Sequence, residues 1–353
     1  MRSIRPVMLA VACFVAAGCG SGGGNQGQGQ EPAQQTIQIN GAGATFPFPI
    51  YSKWFDEYHK LHPNVQINYQ SVGSGAGIRQ LVNQTVFFGA TDGPMTDEQL
   101  QGAPGKILHL PTVLGAVVPV YRIDKVDAQL KFSGRVLADI FLGKITRWND
   151  PAIAKLNAGV TLPDTNITVV HRSDGSGTTY VWVDYLAKVS PEWKSKVGVG
   201  TSPSWPVGVG GKGNEGVSGL VTQSPGSIGY VELVYALQNK INHGQVQNAA
   251  GEFVTASIES VTAAAAATAA TMPSDFRVSI TNAEGPGAYP VSSFTWMLFY
   301  ENPMDKTHAK TMVDFMRWAL TDGQKFATEL GYAPLPTAVV QLEMSALDTI
   351  AVK

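Results

Sequence analysis

The sequence predicts an α/β fold built on a parallel β-sheet, and three observations lead to that fold class. Segments typical of strands alternate with segments whose apolar residues recur at helical spacing. Turns rich in glycine, serine and threonine connect the strands to the helices that follow them. Hydrophobic residues make up 44% of the 353 positions, which is enough to bury a sizeable core. Such an alternation produces parallel strands joined by right-handed crossovers.

The first third of the chain is predicted to fold as strand, helix, strand, helix, strand. Pro49 suits the first turn of the first helix, and Pro63 ends that helix. The expected strands lie at residues 36–40, 65–70 and 86–90, and the expected helices at residues 50–61 and 78–82.

The remaining elements are predicted from the same patterns. Helices are expected at residues 136–142, 152–157, 180–187, 307–320 and 324–330, and strands at residues 167–170 and 289–300. Residues 203–219 are expected to form a long loop, because glycine and proline recur there. Residues 208–213 fit G-x-G-x-x-G, but the expected loop lacks the strand-then-helix context of a dinucleotide site. Residues 263–270 are nearly pure alanine and are expected to form a solvated helix.

The N-terminus is typical of an exported protein. Arg2 and Arg5 precede an apolar stretch at residues 7–17, which is too short to span a bilayer and is typical of a secretory signal. The sequence AAGC at residues 16–19 resembles a bacterial lipobox, in which Cys19 takes the lipid. The alternative is an ordinary signal peptide with a chance cysteine. We therefore expect a signal peptide at residues 1–18, and a lipidated Cys19 with a flexible tether at residues 19–35.

Composition and missing motifs exclude several classes of function. The formal charge of −2 provides no basic surface for nucleic acid, and two cysteines exclude a disulfide framework. Gly213 follows Lys212 where a P-loop needs serine or threonine, and no G-x-S-x-G surrounds Ser74 or Ser176. A secreted phosphatase would need a metal cluster or an activated nucleophile, and neither is visible. We expect no enzyme activity and no cofactor.

Three strand-to-helix turns could hold an oxyanion, at residues 41–46, 73–77 and 174–178. The first N–H groups of a helix lack intrahelical partners and sit at the positive end of its dipole. Arg172, at a strand end, could clamp a tetrahedral oxyanion with its planar fork. Asp174 could orient Arg172 through an ion pair, or could belong to a plain Asp-Gly turn.

Asp92 follows the third predicted strand, at the sheet edge where open α/β folds bind ligands. A carboxylate repels an anion unless the anion carries a proton that the two can share. Hydrogen phosphate carries one at neutral pH and sulfate does not, so Asp92 would reject sulfate. The alternative is an aspartate that only caps the turn before Gly93 and Pro94.

These residues resemble a known family, the periplasmic phosphate-binding proteins of phosphate ABC transporters. The resemblance extends over residues 39–340, nearly all of the expected mature body. The stretches that carry it are GAGATFP (41–47), YQSVGSGAG (69–77), FGATD (88–92), LGKI (142–145), DGSGT (174–178) and WPVGVGGKG (205–213). Phe87 occupies a place where relatives often carry aspartate.

The resemblance implies a set of phosphate ligands and a two-lobed, type II periplasmic-binding-protein clamshell with two hinge crossovers. The crossovers would lie near residues 112–117 and 289–293. Residues 36–115 and 291–353 would form lobe 1, and residues 116–290 lobe 2. The implied ligands are Thr45, Phe46, Ser74 and Asp92 from lobe 1 and Arg172, Ser176, Gly177 and Thr178 from lobe 2, with Asp174 as the partner of the arginine.

The resemblance also implies the function. Such a protein captures hydrogen phosphate in the periplasm or cell envelope and delivers it to the permease and ATPase subunits of an ABC transporter. The chain is expected to be a lipid-anchored monomer that binds no nucleic acid or metal. Two alternatives remain open at this point: a receptor for another tetrahedral oxyanion, and a surface lipoprotein or adhesin.

Overall fold

An eight-stranded mixed sheet forms the centre of the computed structural model, which describes residues 36–269 and 271–353. The predicted signal peptide, Cys19 and tether lie outside the described residues. The strands are β1 (Ile37–Gly43), β2 (Val65–Ser71), β3 (Phe88–Thr91), β4 (Ile107–Arg122), β5 (Lys131–Phe132), β6 (Thr168–Arg172), β7 (Val209–Gly211), β8 (Ser227–Glu232), β9 (Gln245–Gln247), β10 (Phe253–Val254) and β11 (Ser292–Tyr300).

Helices cover the sheet and connect its strands. They are α1 (Phe48–Leu61), α2 (Ser74–Val82), α3 (Asp97–Gln101), α4 (Gly134–Phe141), α5 (Pro151–Leu156), α6 (Gly177–Val189), α7 (Pro191–Lys196), α8 (Gly213–Gln223), α9 (Leu233–Gln238), α10 (Ile258–Ala269), α11 (Lys306–Leu320), α12 (Gln324–Leu330) and α13 (Thr337–Leu347). No helix of the described ranges has both the length and the apolar character needed to cross a membrane.

The order of the large sheet is β2-β1-β3-β11-β4-β8-β6-β7, and β5, β9 and β10 form a small second sheet. The predicted strand–helix alternation at the start of the chain is confirmed, because β1 pairs in parallel with both β2 and β3. Pro49 lies in the first turn of α1, where its missing N–H leaves no hydrogen bond unmade.

The long strand β4 changes partner halfway along its length. Residues up to Ala116 pair antiparallel with β11, and residues from Val117 onward pair antiparallel with β8. One continuous strand therefore joins the two halves of the sheet. Large aromatic side chains fill the core of both halves, with Trp54 buried in one and Trp182 stacked on Tyr230 at 5.2 Å in the other. Burying each such side chain stabilises the fold by roughly 1.5–3 kcal/mol.

The prediction of a long loop at residues 203–219 is wrong. Its second half contains β7 and the start of α8, and β7 pairs in parallel with β6. The stretch resembles a loop because it is rich in glycine, but pairing with β6 holds its backbone extended. Gly213 has a φ of 71°, a conformation that favours glycine, at the turn between strand and helix. The G-x-G-x-x-G stretch therefore contains β7 itself and ends at the first residue of α8.

The expectation that the alanine-rich helix α10 is solvated is wrong. Val261, Ala264 and Ala265 are buried, and the helix packs against β4 and β11. Propensity predicts the helix correctly but says nothing about its surroundings. The small side chains allow the helix to lie close to the sheet.

Candidate anion-binding site

Four strand-to-helix turns meet at one point of the molecule. The turns that begin α1, α2 and α6 follow β1, β2 and β6, and the turn that begins α8 follows β7. The N–H of Gly75 donates to the carbonyl of Gly175 at 2.9 Å, and the N–H of Gly177 donates to Ser74 Oγ at 3.0 Å. The structure thus brings together all eight residues that the resemblance implies, and all eight are buried: Thr45, Phe46, Ser74, Asp92, Arg172, Ser176, Gly177 and Thr178.

Arg172 is held by Asp174. Nε of Arg172 donates to one carboxylate oxygen at 2.8 Å, and Nη2 donates to the other at 2.5 Å. Asp174 also accepts the N–H of Gly213 at 3.0 Å. Burial alone would raise the pKa of Asp174, but the hydrogen bonds and charge of Arg172 outweigh it and hold that pKa below its usual range. The remaining Arg172 nitrogen, Nη1, lies 3.3 Å from Thr178 Oγ1.

Asp92 is a buried carboxyl directly after β3. Its Oδ1 accepts from the Thr295 hydroxyl at 2.8 Å, whereas its buried Oδ2 has no hydrogen-bond partner among the described residues. Burial raises the pKa of Asp92 to about 7, although the Thr295 hydroxyl and the charge of Arg172 act in the opposite direction. Thr91, and not the Asp92 side chain, caps the turn before Pro94, since Thr91 Oγ1 accepts the N–H of Gly93 at 3.2 Å.

The first turn of α6 requires glycine at position 177. A Cβ there would lie 2.5 Å from Ser74 Oγ and 2.6 Å from Asp92 Oδ2, closer than side-chain atoms approach in real proteins. Ser176 caps the same helix, since its Oγ accepts the N–H of Thr179 at 3.0 Å. The helix N-terminus therefore lies directly against Asp92 and Ser74.

The ring of Phe46 is buried in the core, so this residue could offer a ligand only its backbone. It lies in the turn before α1, and its carbonyl accepts the Tyr332 hydroxyl at 2.6 Å. Thr45 precedes it, and the Thr45 carbonyl accepts the Tyr235 hydroxyl at 2.6 Å. Two tyrosines thus fix the backbone of the first turn.

Sequence reasoning missed two residues of this site, Asn214 and Thr295. Asn214 is buried and its Nδ2 donates to Thr45 Oγ1 at 2.7 Å, but it belongs to the segment expected to be a loop. The helical spacing of Val217 and Val221 after Gly213 is a signal that could have placed it at a helix start. Thr295 belongs to β11, and the sequence has no local signal that pairs this strand with β3.

Phe87 does not reach the site. It is half-buried beside α11, where its ring meets that of His308 edge-on at 5.6 Å. The Phe87 side chain therefore packs against α11.

Among the eight residues of the site, hydrogen-bond donors surround one unpartnered buried carboxylate oxygen, Asp92 Oδ2; Glu232 Oε1, beside Asn214, is a second such oxygen next to the site. Arg172 is the cation, and it is already paired with Asp174. Across residues 36–269 and 271–353, no three His, Cys, Asp or Glu side chains lie close enough together to hold a metal ion. This chemistry suits a small oxyanion that carries a proton for Asp92 Oδ2.

Comparisons with known proteins agree with this geometry. A model of the PBP superfamily domain matches residues 27–322, so the fold and the site define a domain of that superfamily. The phosphate-binding protein PstS of Pasteurella multocida is 50% identical over 308 residues, covering 87% of this chain and 89% of that protein. PstS of Methanocaldococcus jannaschii is 39% identical, covering 89% of this chain and 87% of that protein. The chain belongs to the family of the PstS phosphate-binding proteins.

Solved structures share the fold at lower identity. A high-affinity periplasmic phosphate-binding protein bound with phosphate has a TM-score of 0.70 at 24% identity, over 86% of this chain and 92% of that one. A phosphate-binding protein from Stenotrophomonas maltophilia has a TM-score of 0.69 at 17% identity, over 88% and 94%. The predicted two-lobed α/β periplasmic-binding-protein fold is confirmed.

Proposed function

We propose that the chain captures inorganic phosphate, as the hydrogen phosphate anion, and delivers it to an ABC permease for import. The PstS relatives are named for phosphate binding, and the site has the donors that this anion needs. The family is one of substrate-binding proteins, and we propose capture without catalysis.

One observation carries the choice of hydrogen phosphate, namely the buried and unpartnered Oδ2 of Asp92. A buried carboxylate oxygen without a hydrogen bond costs free energy, and a ligand hydroxyl removes that cost. Hydrogen phosphate supplies one hydroxyl and three acceptor oxygens. Sulfate would bring a bare oxygen against Asp92 Oδ2 and add repulsion instead.

The proposed ligands come from both lobes. Thr45, Phe46, Ser74 and Asp92 belong to lobe 1 (residues 36–115 and 291–353), and Arg172, Ser176, Gly177 and Thr178 to lobe 2 (residues 116–290). The exchange of partners in β4 between Ala116 and Val117 supports this boundary. Charge-assisted hydrogen bonds contribute roughly 1.5–3 kcal/mol each. After dehydration and ordering, an affinity near micromolar (about −8 kcal/mol) is reasonable for such a set.

We also propose an exported, lipid-anchored protein that acts as a monomer in the periplasm or cell envelope. The lipobox-like sequence before Cys19 and the polar tether after it support the anchor. Its partners are the permease and ATPase subunits of the phosphate ABC transporter. Closure of the lobes over the anion would shape the surface that the permease recognises.

Calorimetric titration of the protein, stripped of bound anion, tests the proposed function. Phosphate and sulfate are compared at pH 7.5. We expect tight one-to-one binding of phosphate and no heat with sulfate. Equal binding of both would refute proton-based selection and indicate a general oxyanion receptor. No heat with either would refute the proposal and favour the adhesin alternative.

A further inference from the structure

Asn214 connects two hydroxyl groups that lie on opposite sides of the site. It is the second residue of α8 and is fully buried. Its amide nitrogen Nδ2 donates to Thr45 Oγ1 at 2.7 Å and to Thr178 Oγ1 at 3.2 Å. Thr45 precedes α1 and Thr178 lies in the first turn of α6, so one side chain contacts both proposed lobes.

The orientation of the Asn214 amide is fixed by the backbone. The N–H of Glu232, at the end of β8, donates to Asn214 Oδ1 at 3.0 Å. A backbone N–H can only donate, so the amide oxygen must face Glu232 and the NH₂ group must face the two threonines. Each hydrogen of this NH₂ group then goes to a different hydroxyl.

Both threonine hydroxyls consequently act as acceptors toward the protein. Thr45 Oγ1 also accepts the backbone N–H of Asn214 at 3.3 Å, and Thr178 Oγ1 also accepts from Arg172 Nη1 at 3.3 Å. A hydroxyl oxygen accepts two hydrogen bonds and donates one. Since none of these nitrogens accepts, the hydrogen of each hydroxyl is left to point at another acceptor.

The Ser74 hydroxyl also accepts two hydrogen bonds from the protein, but from different groups. Its Oγ accepts from the backbone N–H groups of Gly177 at 3.0 Å and Asp92 at 3.4 Å. The orientation of the Ser74 hydroxyl hydrogen therefore depends on main-chain atoms. The hydroxyls of Thr45 and Thr178 each accept one hydrogen bond from another N–H group and a second from the Asn214 amide, so the Asn214 side chain fills the second acceptor position of both.

We propose that Asn214 is a positioning residue that makes Thr45 and Thr178 donate to the bound anion and prevents either from accepting the anion's proton. This inference rests on the proposed function and deepens it. Asn214 fills the acceptor positions of two of the site's hydroxyls, which favours Asp92 Oδ2 as the group that receives the proton of the anion. Asn214 thereby contributes to selection for the singly protonated anion without touching it.

The test is a set of phosphate titrations on the full chain, carried to millimolar concentration at pH 6 and pH 8. Asn214→Leu removes both donors at similar volume. We expect it to weaken phosphate binding at least about 10-fold at pH 8, because each hydroxyl then keeps a single donor and its hydrogen is no longer held toward the anion. We expect a smaller loss at pH 6, because each hydroxyl then has a free acceptor position for the second proton of dihydrogen phosphate. Protonation of Asp92, whose pKa burial raises to about 7, affects the wild type and the variant alike, so the loss is compared between the two proteins at each pH.

Repeating the Asn214→Leu substitution in a Thr45→Val protein shows whether Asn214 acts through the threonines. Thr45→Val removes one of the two hydroxyls at constant shape. In that background Asn214→Leu is expected to cost at least about 3-fold less affinity than in the wild type, because one of its targets is gone. An equal loss in both backgrounds and at both pH values would overturn the proposal, since Asn214 would then act through packing alone.

Asn157→Leu is the matched control. Asn157 is also buried, donates from Nδ2 to two carbonyl oxygens at 3.0 Å and accepts the N–H of Lys131 at 2.7 Å, but it lies outside the site. It is expected to lower the melting temperature and to leave phosphate affinity unchanged.

If Asn214→Leu does not fold, the isosteric Asn214→Asp answers the same question. Its carboxylate keeps the bond from Glu232 but accepts from both threonines, which draws their hydrogens away from the anion. Phosphate affinity should fall further with Thr45 present than in the Thr45→Val background, and equal losses would again overturn the proposal. A wild-type protein that binds no phosphate would instead refute the proposed function itself.

Discussion

Replacing Asp92 by asparagine exchanges an acceptor for a donor at one buried position of the site. The Thr295 hydroxyl donates to Oδ1 at 2.8 Å, so the oxygen of the new amide keeps that place and its NH₂ group takes the place of Oδ2. Hydrogen phosphate then meets a donor where its own hydroxyl needs an acceptor. Sulfate meets a donor where the wild type presents a bare carboxylate oxygen.

The magnitude follows from the single bond that is lost. A hydrogen bond to a charged group contributes roughly 1.5–3 kcal/mol, which corresponds to about a 10- to 150-fold weaker phosphate affinity. Sulfate gains a donor and loses a repulsion, so its binding should become measurable. The ratio of the two affinities should therefore change by about 100-fold or more.

Calorimetric titration with both anions at pH 7.5 measures this ratio directly. Asp184→Asn is a suitable control, because the Asp184 carboxylate likewise accepts from hydroxyls, in this case those of Ser279 and Thr281, but is not among the proposed ligands. An Asp92→Asn protein with the wild-type preference for phosphate over sulfate would refute the reasoning, and Asp92 would then have no role in selection.

Three further outcomes are expected. Arg172→Ala should weaken phosphate binding at least about 100-fold in a calorimetric titration, since a buried anion loses its charged partner, and a loss below about 2-fold would remove Arg172 from the site. Gly177→Ala should weaken phosphate binding at least about 10-fold, because its Cβ would lie 2.5 Å from Ser74 Oγ. The control Gly219→Ala, whose Cβ would meet nothing within 4 Å, should leave the affinity unchanged. Equal affinities for the two variants would contradict the steric argument. The pKa of Asp92 is raised from 3.8 to about 7 by burial, so this group destabilises the phosphate-free fold as pH rises between those values. The melting temperature of the phosphate-free wild type should therefore fall more between pH 4 and pH 7 than that of Asp92→Asn, and parallel curves would show that Asp92 is not the group responsible.

The sequence predicts the first half of the sheet well because its signals are local. Alternating strands, helical spacing and Pro49 place β1, α1, β2, α2 and β3 within a few residues of where they lie. Asp92 is placed at a strand end by the same means. Parallel strands separated by helices then leave little choice about which ends meet.

The remaining contacts depend on pairing between distant segments. β7 consists of Val209, Gly210 and Gly211, and the two glycines have little strand preference of their own, so pairing with β6 is needed to make this segment a strand. Because residues 203–219 are expected to form a loop, the sequence does not place Asn214 at the start of a helix. Thr295 approaches Asp92 only because β11 returns antiparallel beside β3, far along the chain. Propensity also places α10 but cannot show that Ala264 and Ala265 are buried.

The hydrogen bond from Gly75 to Gly175 has a consequence for the rate of release. It joins two main-chain atoms on opposite sides of the site, so its strength does not depend on which anion is held. In the proposed clamshell, this bond has to break before the anion can leave. Opening also breaks the bonds between the anion and one lobe, so we expect the Gly75–Gly175 bond to slow the release of every anion by the same factor, on top of a factor that differs between anions.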